Sequence, residues 1–323
     1  MSIATVTLNP AIDQTVSVPN FAADAVNRVE WAQADPGGKG INVSSFLADY
    51  GISTTATGFL GRGNSAPFKQ LFQQKGIGDQ CLRLPGNTRV NIKIIDDAQQ
   101  QVTDLNFPGL SPAENDLQAL KERISQLAKT HDWFILAGSL PAQVPVDIYR
   151  ELTQMLKQQG KHVALDTSGP PLKVAIASTS PKPDFIKPNL VELQELLGQS
   201  LTAEADIVSA ARELVTQGIS RVAVSMGEAG ALFVDATEAI RAQADAPTVK
   251  STVGAGDAMV AGTLAAWSQG HSLTESARLG TAFSLGALSQ IGPRLPPKSG
   301  LLQHQACVTL RAVEPAKTTV SLS

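Results

Sequence analysis

The order of apolar and amphipathic runs in the second half constrains this chain more than any other feature. Helical patterns over 112–129, 145–159, 189–197, 203–217, 255–269 and 273–289 are interleaved with short apolar runs at 133–137, 162–166, 184–186 and 221–225. A further run at 231–234 reads as a hairpin partner of the last. Strands that alternate with helices fold into a parallel sheet covered on both faces, which predicts the α/β class. The first part repeats the pattern: a strand over 3–8, a helix over 41–50 closed by Gly51, a strand over 54–60 and a helix over 67–75 closed by Gly76. Pro145 suits the first turn of its helix.

Two regions break the pattern. Residues 89–95 and 102–107 alternate with period two around a polar turn, the signature of a hairpin with one apolar face. With the short runs at 15–18 and 28–33 they are expected to form a small sheet standing off the main body, a natural lid over a pocket. The expected organisation is one domain over 1–310, with lid strands inserted at about 12–34 and 87–108, and a loose polar tail over 311–323.

Composition removes several function classes. Hydrophobic residues make up 43% of the 323 and charged residues 17%, enough apolar material for a sizeable core. A net charge of −3 provides no basic surface for nucleic acid. No apolar run approaches the roughly 18 residues that span a bilayer, so no membrane is expected. The start lacks the charged segment of a secretory signal, and a cytoplasmic protein is expected. Cys81 and Cys307 are far apart and the four histidines are scattered, which leaves no disulfide framework and no zinc spacing.

The chemistry concentrates in Ser251-Thr252-Val253-Gly254-Ala255-Gly256-Asp257-Ala258-Met259. Gly254 and Gly256 allow a sharp turn with unobstructed N–H groups, and the helical pattern that follows adds the positive end of its dipole. Such a turn binds anions. Asp257 would repel a phosphate there unless it has another task, and taking the proton of a hydroxyl that attacks the phosphate is such a task. Other polar segments fall at the carboxyl ends of expected strands, where open α/β sheets bind ligands. They are Asn9 to Asp13, Gly37 to Asn42, Gly138 to Pro141, Asp166 to Gly169, Lys187 to Asn189 and Ser225 to Gly227. Asp13 and Asn42 suit sugar hydroxyls, and Lys39 and Arg89 suit a second anion. Gly37-Gly38-Lys39-Gly40 is not a Walker loop. Gly61-Arg62-Gly63-Asn64-Ser65-Ala66 matches a dinucleotide fingerprint superficially, but no acidic strand end follows about 20 residues on.

Taken in order, these motifs resemble the ribokinase/PfkB carbohydrate kinases. The turn at 251–259 is similar to that family's C-terminal signature, Gly37-Gly38-Lys39-Gly40-Ile41-Asn42-Val43 to its N-terminal one, and Lys187-Pro188-Asn189 with Glu192 to its metal-linked motif. The segments at 7–13 and 138–141 resemble the phosphosugar kinase branch, as do 88–93 and 102–109. Relatives often carry an acid at the position of Gly63. The resemblance implies a three-layer ribokinase-like fold, with a mostly parallel central sheet, helices on both faces and the small β-sheet as a lid, often used in a homodimer. It implies transfer of the ATP γ-phosphate to the 6-hydroxyl of fructose 1-phosphate, with tagatose 6-phosphate and fructose 6-phosphate as alternative acceptors. A sugar-phosphate sensor without catalysis is the alternative from another class, and the presence of Asp257 and Gly254 to Gly256 argues against it.

In that reading Asp257 is the base, and Gly254, Ala255 and Gly256 form the anion hole. Asp13, Gly38, Lys39, Asn42, Arg89 and Ser139 hold the phosphosugar, with Arg28 as a lesser candidate. Lys187, Asn189, Ser225, Gly227, Gly230, Thr252 and Val253 serve the nucleotide, and Glu192 serves Mg2+ through water.

Overall fold

Residues Ile3–Thr7 (β1) are buried along their whole length, as a strand covered on both faces must be. The computed structural model describes residues 2–177, 181–245, 249–250 and 253–314. After β1 the chain runs through Ala11–Ser17 (β2), Trp31–Gly37 (β3), the helix Lys39–Asp49 (α1), Thr54–Gly61 (β4) and Ala66–Lys75 (α2). The short strands Gly78–Asp79 (β5) and Leu82–Leu84 (β6) precede the hairpin Arg89–Asp96 (β7) and Gln101–Leu105 (β8). Then come Glu114–Leu127 (α3), Trp133–Ala137 (β9), Ile148–Gln158 (α4), His162–Asp166 (β10), Gly169–Ala177 (α5) and Phe185–Ile186 (β11). Leu190–Leu197 (α6), Glu204–Thr216 (α7), Arg221–Ser225 (β12), Ala231–Val234 (β13) and Ala239–Gln243 (β14) follow. Ala255–Trp267 (α8), Leu273–Leu288 (α9), Lys298–Cys307 (α10) and Thr309–Ala312 (β15) complete the described chain.

The main sheet runs in the order β5, β4, β1, β9, β10, β11, β12, β13, β14, β15, with β6 beside β4. Every pair from β5 to β12 is parallel, and the three pairs from β12 to β15 are antiparallel. Alternate side chains of each strand feed two cores. Ala4, Val6, Phe134 and Leu136 face α3 to α7, while Ile3, Trp133 and Ile135 face α1, α8 and α9. Helices on both faces of a mostly parallel sheet are what the alternating pattern predicts.

Helix α8 is buried from Asp257 through Ala266, being held between the sheet, α1 and α9. A Cβ at Gly262 would lie 2.6 Å from the Leu279 carbonyl oxygen, so glycine is what lets α8 and α9 pack this closely.

A second sheet, in the order β3, β2, β7, β8, has its own small core of Val16, Val18 and Ile94. The strand expected over 28–33 is displaced to Trp31–Gly37. Pro36 lies on the edge strand of this sheet, where proline is tolerated.

Several expectations at element ends are corrected. Helices α3 and α4 start at Glu114 and Ile148, so Pro112 and Pro145 precede them. The tail expected to be loose from 311 instead pairs through Ala312 with β14. Strands β5, β6, β14 and β15 and helices α5 and α10 had no sequence expectation. Residues 315–323 lie outside the described residues.

Candidate functional site

Strand order reverses between β1 and β9: the chain proceeds outward through β4 on one side and through β10 on the other. In an open α/β sheet this switch point leaves a crevice at the carboxyl ends of the strands. Asn9, just past β1, donates from Nδ2 to Ser139 Oγ, just past β9, at 3.1 Å. The lid strands β2 and β7 leave from the same crevice in parallel register, with Ala11 opposite Arg89 and Asp13 opposite Asn91. A cavity of about 230 Å³ here is lined by all six expected phosphosugar residues, Asp13, Gly38, Lys39, Asn42, Arg89 and Ser139. An adjoining cavity of about 220 Å³ shares Asp13, Asn42 and Asn91 with it and extends to Asp35, Gly37 and Gly292. Arg28 is exposed and lines neither cavity.

Residues separated widely in sequence are locked together by short bonds. The Asn91 amide donates to Asp13 Oδ1 at 3.1 Å, and its Oδ1 accepts from the Phe107 N–H at 3.2 Å. Arg89 spends its guanidinium on the carbonyls of Asn9, Pro10 and Phe107 at 3.1–3.3 Å, so it anchors the lid as well as lining the cavity. Burial lowers the pKa of Arg89, partly offset by Asp13, and raises that of Asp13 against the Asn91 hydrogen bond. Gly37 has room for no side chain, since a Cβ would come within 2.8 Å of Asp13 Oδ2.

Gly254 opens α8 in the left-handed conformation (φ 79°), and the Ala258 N–H bonds back to its carbonyl at 2.8 Å. In a helix starting here the N–H groups at 255–257 have no carbonyl partner within the helix, which suits an anion. Asp257 is 8% exposed and accepts from Asn42 Nδ2 at 2.8 Å. Burial pushes its carboxyl up to about 6, aided by the nearby Asp166 charge and opposed by Lys39, the Asn42 bond and Lys187. An acid poised there is half ionised near pH 6, suited to accepting a proton at neutral pH.

Asp166, at the end of β10, joins the two sides of the crevice. Its Oδ1 lies 3.2 Å from Lys39 Nζ and 3.7 Å from Lys187 Nζ, and it is almost wholly buried. Burial would raise its pKa, but Lys187 and Lys39 outweigh it and hold the carboxyl below the usual range. Burial likewise opposes the charge on Lys39, and the carboxylates of Asp166, Asp257 and Glu192 outweigh it, so its pKa is raised. Sequence reasoning placed Asp166 in a strand-end segment suited to a ligand but gave it no role. Its ion pairs are contacts made across the sheet, which no local pattern announces.

The expected nucleotide residues divide. Lys187 comes close to the glycine turn, since a Cβ at Gly256 would lie 3.3 Å from its Nζ. Asn189 bridges Ser225 in the sheet, and Gly227 (φ 58°) turns the chain just beyond. Gly230 has a packing reason instead, because a Cβ would collide with the Ala242 carbonyl of β14. Val253 lines the adjoining cavity with Asp35 and Gly292. Thr252 and Ser251 lie outside the described residues.

Asn189 and Glu192 cap α6 reciprocally, with Asn189 Oδ1 accepting from the Glu192 N–H and Glu192 Oε2 from the Asn189 N–H, both at 2.8 Å. Among the described residues no group of three or more His, Cys, Asp or Glu side chains gathers to hold an ion. A single carboxylate with one oxygen free fits Mg2+, which keeps most of its waters and is carried largely by nucleotide phosphates.

The superficial dinucleotide fingerprint has a different origin. Residues Arg62–Asn64 form a 3-10 turn, and a Cβ on Gly61 or Gly63 would run into Asn87 and its neighbour. An acid at Gly63, common in relatives, would require the exposed Asn87 side chain to move aside.

Comparison with known proteins places these residues in a family context. Residues 6–299 match the model of the pfkB family carbohydrate kinases. The chain is 50% identical over 316 residues to 1-phosphofructokinase of Rhodobacter capsulatus, covering 98% of this chain and 99% of that one. It is 40% identical over 311 residues to 1-phosphofructokinase of Xanthomonas campestris pv. campestris, covering 96% and 98%. Among solved structures, phosphofructokinase-2 of Escherichia coli in complex with substrates and products superposes with a TM-score of 0.88 at 30% identity, over 95% of this chain and 99% of that one.

Proposed function

This chain belongs to the pfkB family of carbohydrate kinases, and on that premise we propose that it transfers the γ-phosphoryl group of ATP to the 6-hydroxyl of fructose 1-phosphate, giving fructose 1,6-bisphosphate and ADP. The observation that carries the site is the 2.8 Å bond from Asn42 to Asp257, which ties a residue of the phosphosugar cavity to the only carboxylate in the glycine turn.

Asp257 is the base in this reading. An alcohol is a weak nucleophile, and the carboxylate orients the 6-hydroxyl and takes its proton as the bond to phosphorus forms. The N–H groups at Gly254, Ala255 and Gly256 stabilise charge on the transferring group. Asp13 and Asn42 read sugar hydroxyls. Lys39, Arg89 and Ser139 hold the resident 1-phosphate, with Gly38 letting the backbone come close. Lys187, Asn189, Ser225 and Gly227 serve the nucleotide. Glu192 would hold Mg2+ through water, and the ion would supply neutralisation of phosphate charge. Asp166 keeps Lys39 and Lys187 facing the two phosphate groups.

Exposed apolar side chains on the lid, Trp31, Val102, Leu105 and Phe107 among them, favour a homodimer formed through that sheet. No helix among the described residues is long and apolar enough to cross a membrane.

The test is a coupled assay with ATP and Mg2+ offering fructose 1-phosphate, fructose 6-phosphate and tagatose 6-phosphate in turn. Fructose 1-phosphate should give the highest kcat/KM, and a chelator should abolish turnover. Equal or better kcat/KM with fructose 6-phosphate would overturn the acceptor assignment.

A further inference from the structure

Among the described residues the edge strand β3 has a sheet neighbour on one side only, β2. Arg294 ties β3 to the body of the protein from elsewhere. Its Nη2 lies 3.1 Å from Asp35 Oδ1, linking β3 to the loop between α9 and α10 across 259 positions of sequence. Asp35 Oδ2 also accepts from Gln33 Nε2 at 2.6 Å, which orients the carboxylate on its own strand.

The loop is shaped to receive that carboxylate. Gly292 has φ +82°, and a Cβ there would lie 2.8 Å from Asp35 Oδ2. The far side of the loop is fastened to α1: Ser45 Oγ donates to the Pro293 carbonyl at 2.5 Å, and the Leu295 N–H donates to Asp49 Oδ2 at 2.9 Å. Asn42, Ser45 and Asp49 are spaced by three and four residues, so they form one stripe of α1. The first member of that stripe holds Asp257 and the other two hold the loop.

Asp35, Gly292 and Pro293 line the adjoining cavity of about 220 Å³, which shares Asp13, Asn42 and Asn91 with the phosphosugar cavity, whereas Arg294 lines a separate pocket with Asp35 and Pro293. We propose that the Asp35–Arg294 ion pair is a positioning latch: it draws the lid's edge strand onto the α1-fastened loop and so sets the width of the adjoining cavity, and through Asp13 and Asn42 the placement of the phosphosugar. Arg294 acts through Asp35 and the loop backbone and touches no reacting atom. With the Arg294 side chain half exposed, the pair contributes little to global stability, so its effect should appear in substrate binding.

The proposal rests on a phosphosugar being the acceptor and is tested by a KM split. Arg294→Ala should raise KM for fructose 1-phosphate about two- to fivefold, the range open to a half-exposed ion pair, while KM for ATP, kcat and Tm stay near wild type. Arg294→Lys should recover part of that loss. Asp35→Asn combined with Arg294→Ala should have the phosphosugar KM of Asp35→Asn alone, because the pair acts as a unit. Unchanged phosphosugar KM in Arg294→Ala would overturn the latch, as would additive effects in the double variant. A parallel rise of both KM values with a fall in Tm would also overturn it, by making Arg294 merely structural. Wild-type kinetics judge the acceptor separately: if another phosphosugar is preferred, that reading fails and the latch is read with the preferred sugar.

Discussion

Asn42→Ala should move the acid limb of the pH–rate profile. Burial pushes the Asp257 carboxyl up to about 6, and the Asn42 amide restrains that rise by donating to the ionised form at 2.8 Å. A hydrogen bond to a charged group contributes roughly 1.5–3 kcal/mol, and about 1.4 kcal/mol corresponds to one pKa unit. With water replacing part of the lost bond, the limb should rise by about one pH unit. The base works only when ionised, so activity falls as pH drops through the limb. At pH 6 the wild type is about half ionised and the variant about one-tenth, so the variant should lose roughly fivefold more of its own plateau kcat/KM than the wild type. The measurement is initial rate at low phosphosugar concentration from pH 5 to 8.5, each protein normalised to its value at pH 8.5. The second ionisation of a phosphate ester also lies near pH 6 and contributes a limb common to both proteins. The displacement between the two curves is therefore diagnostic. Coincident normalised curves would refute the role of Asn42 in tuning Asp257.

Other substitutions probe the remaining parts. Asp257→Asn should lower kcat by roughly 10²–10⁴-fold while calorimetry still detects phosphosugar binding, because it removes the proton acceptor and little volume. The same variant should be more heat-stable than wild type at pH 8. A carboxyl whose folded pKa is raised costs stability as pH rises from the unfolded value near 4 through about 6, up to roughly 3 kcal/mol for a shift of this size, so the gain in Tm should vanish near pH 4. Arg89→Ala should raise KM for the phosphosugar more than KM for ATP. Since Arg89 also binds the carbonyls of Asn9, Pro10 and Phe107, it should speed amide exchange in β7 and β8 as well. Gly262→Ala should cost about 1–3 kcal/mol by forcing α8 from α9, seen as a lower Tm with ATP and phosphosugar KM values unchanged.

Much of the architecture was legible because it is carried by local periodicity. Buried strands such as β1 and β9 are continuous apolar runs, and the helices between them carry an apolar face. The elements missed were those whose local signal points elsewhere. Gly169-Pro170-Pro171, two of them prolines, nevertheless starts α5, and β14 and β15 are short strands paired in the sheet, with Ile240 and Ala242 of β14 also in the core. Pro36 argues against a strand locally, and its place on the edge strand β3 is what makes one possible there.

The candidate site divides in the same way. By itself, the sequence determined which chemistry is available: a glycine turn opening a helix, one acid within it, and polar residues after successive strands. Those are short-range properties, set by backbone conformation and side-chain type. Only the tertiary structure decided who meets whom. It brought Asn42 to Asp257, joined Lys39 and Lys187 through Asp166, set Val253 beside Asp35 and Gly292 and spent Arg89 on backbone carbonyls. The physical reason is that pKa shifts, ion pairs and cavities arise from charges and atoms a few ångströms apart in space. Such neighbours here lie up to 259 positions apart in the chain, a distance over which no periodicity carries information.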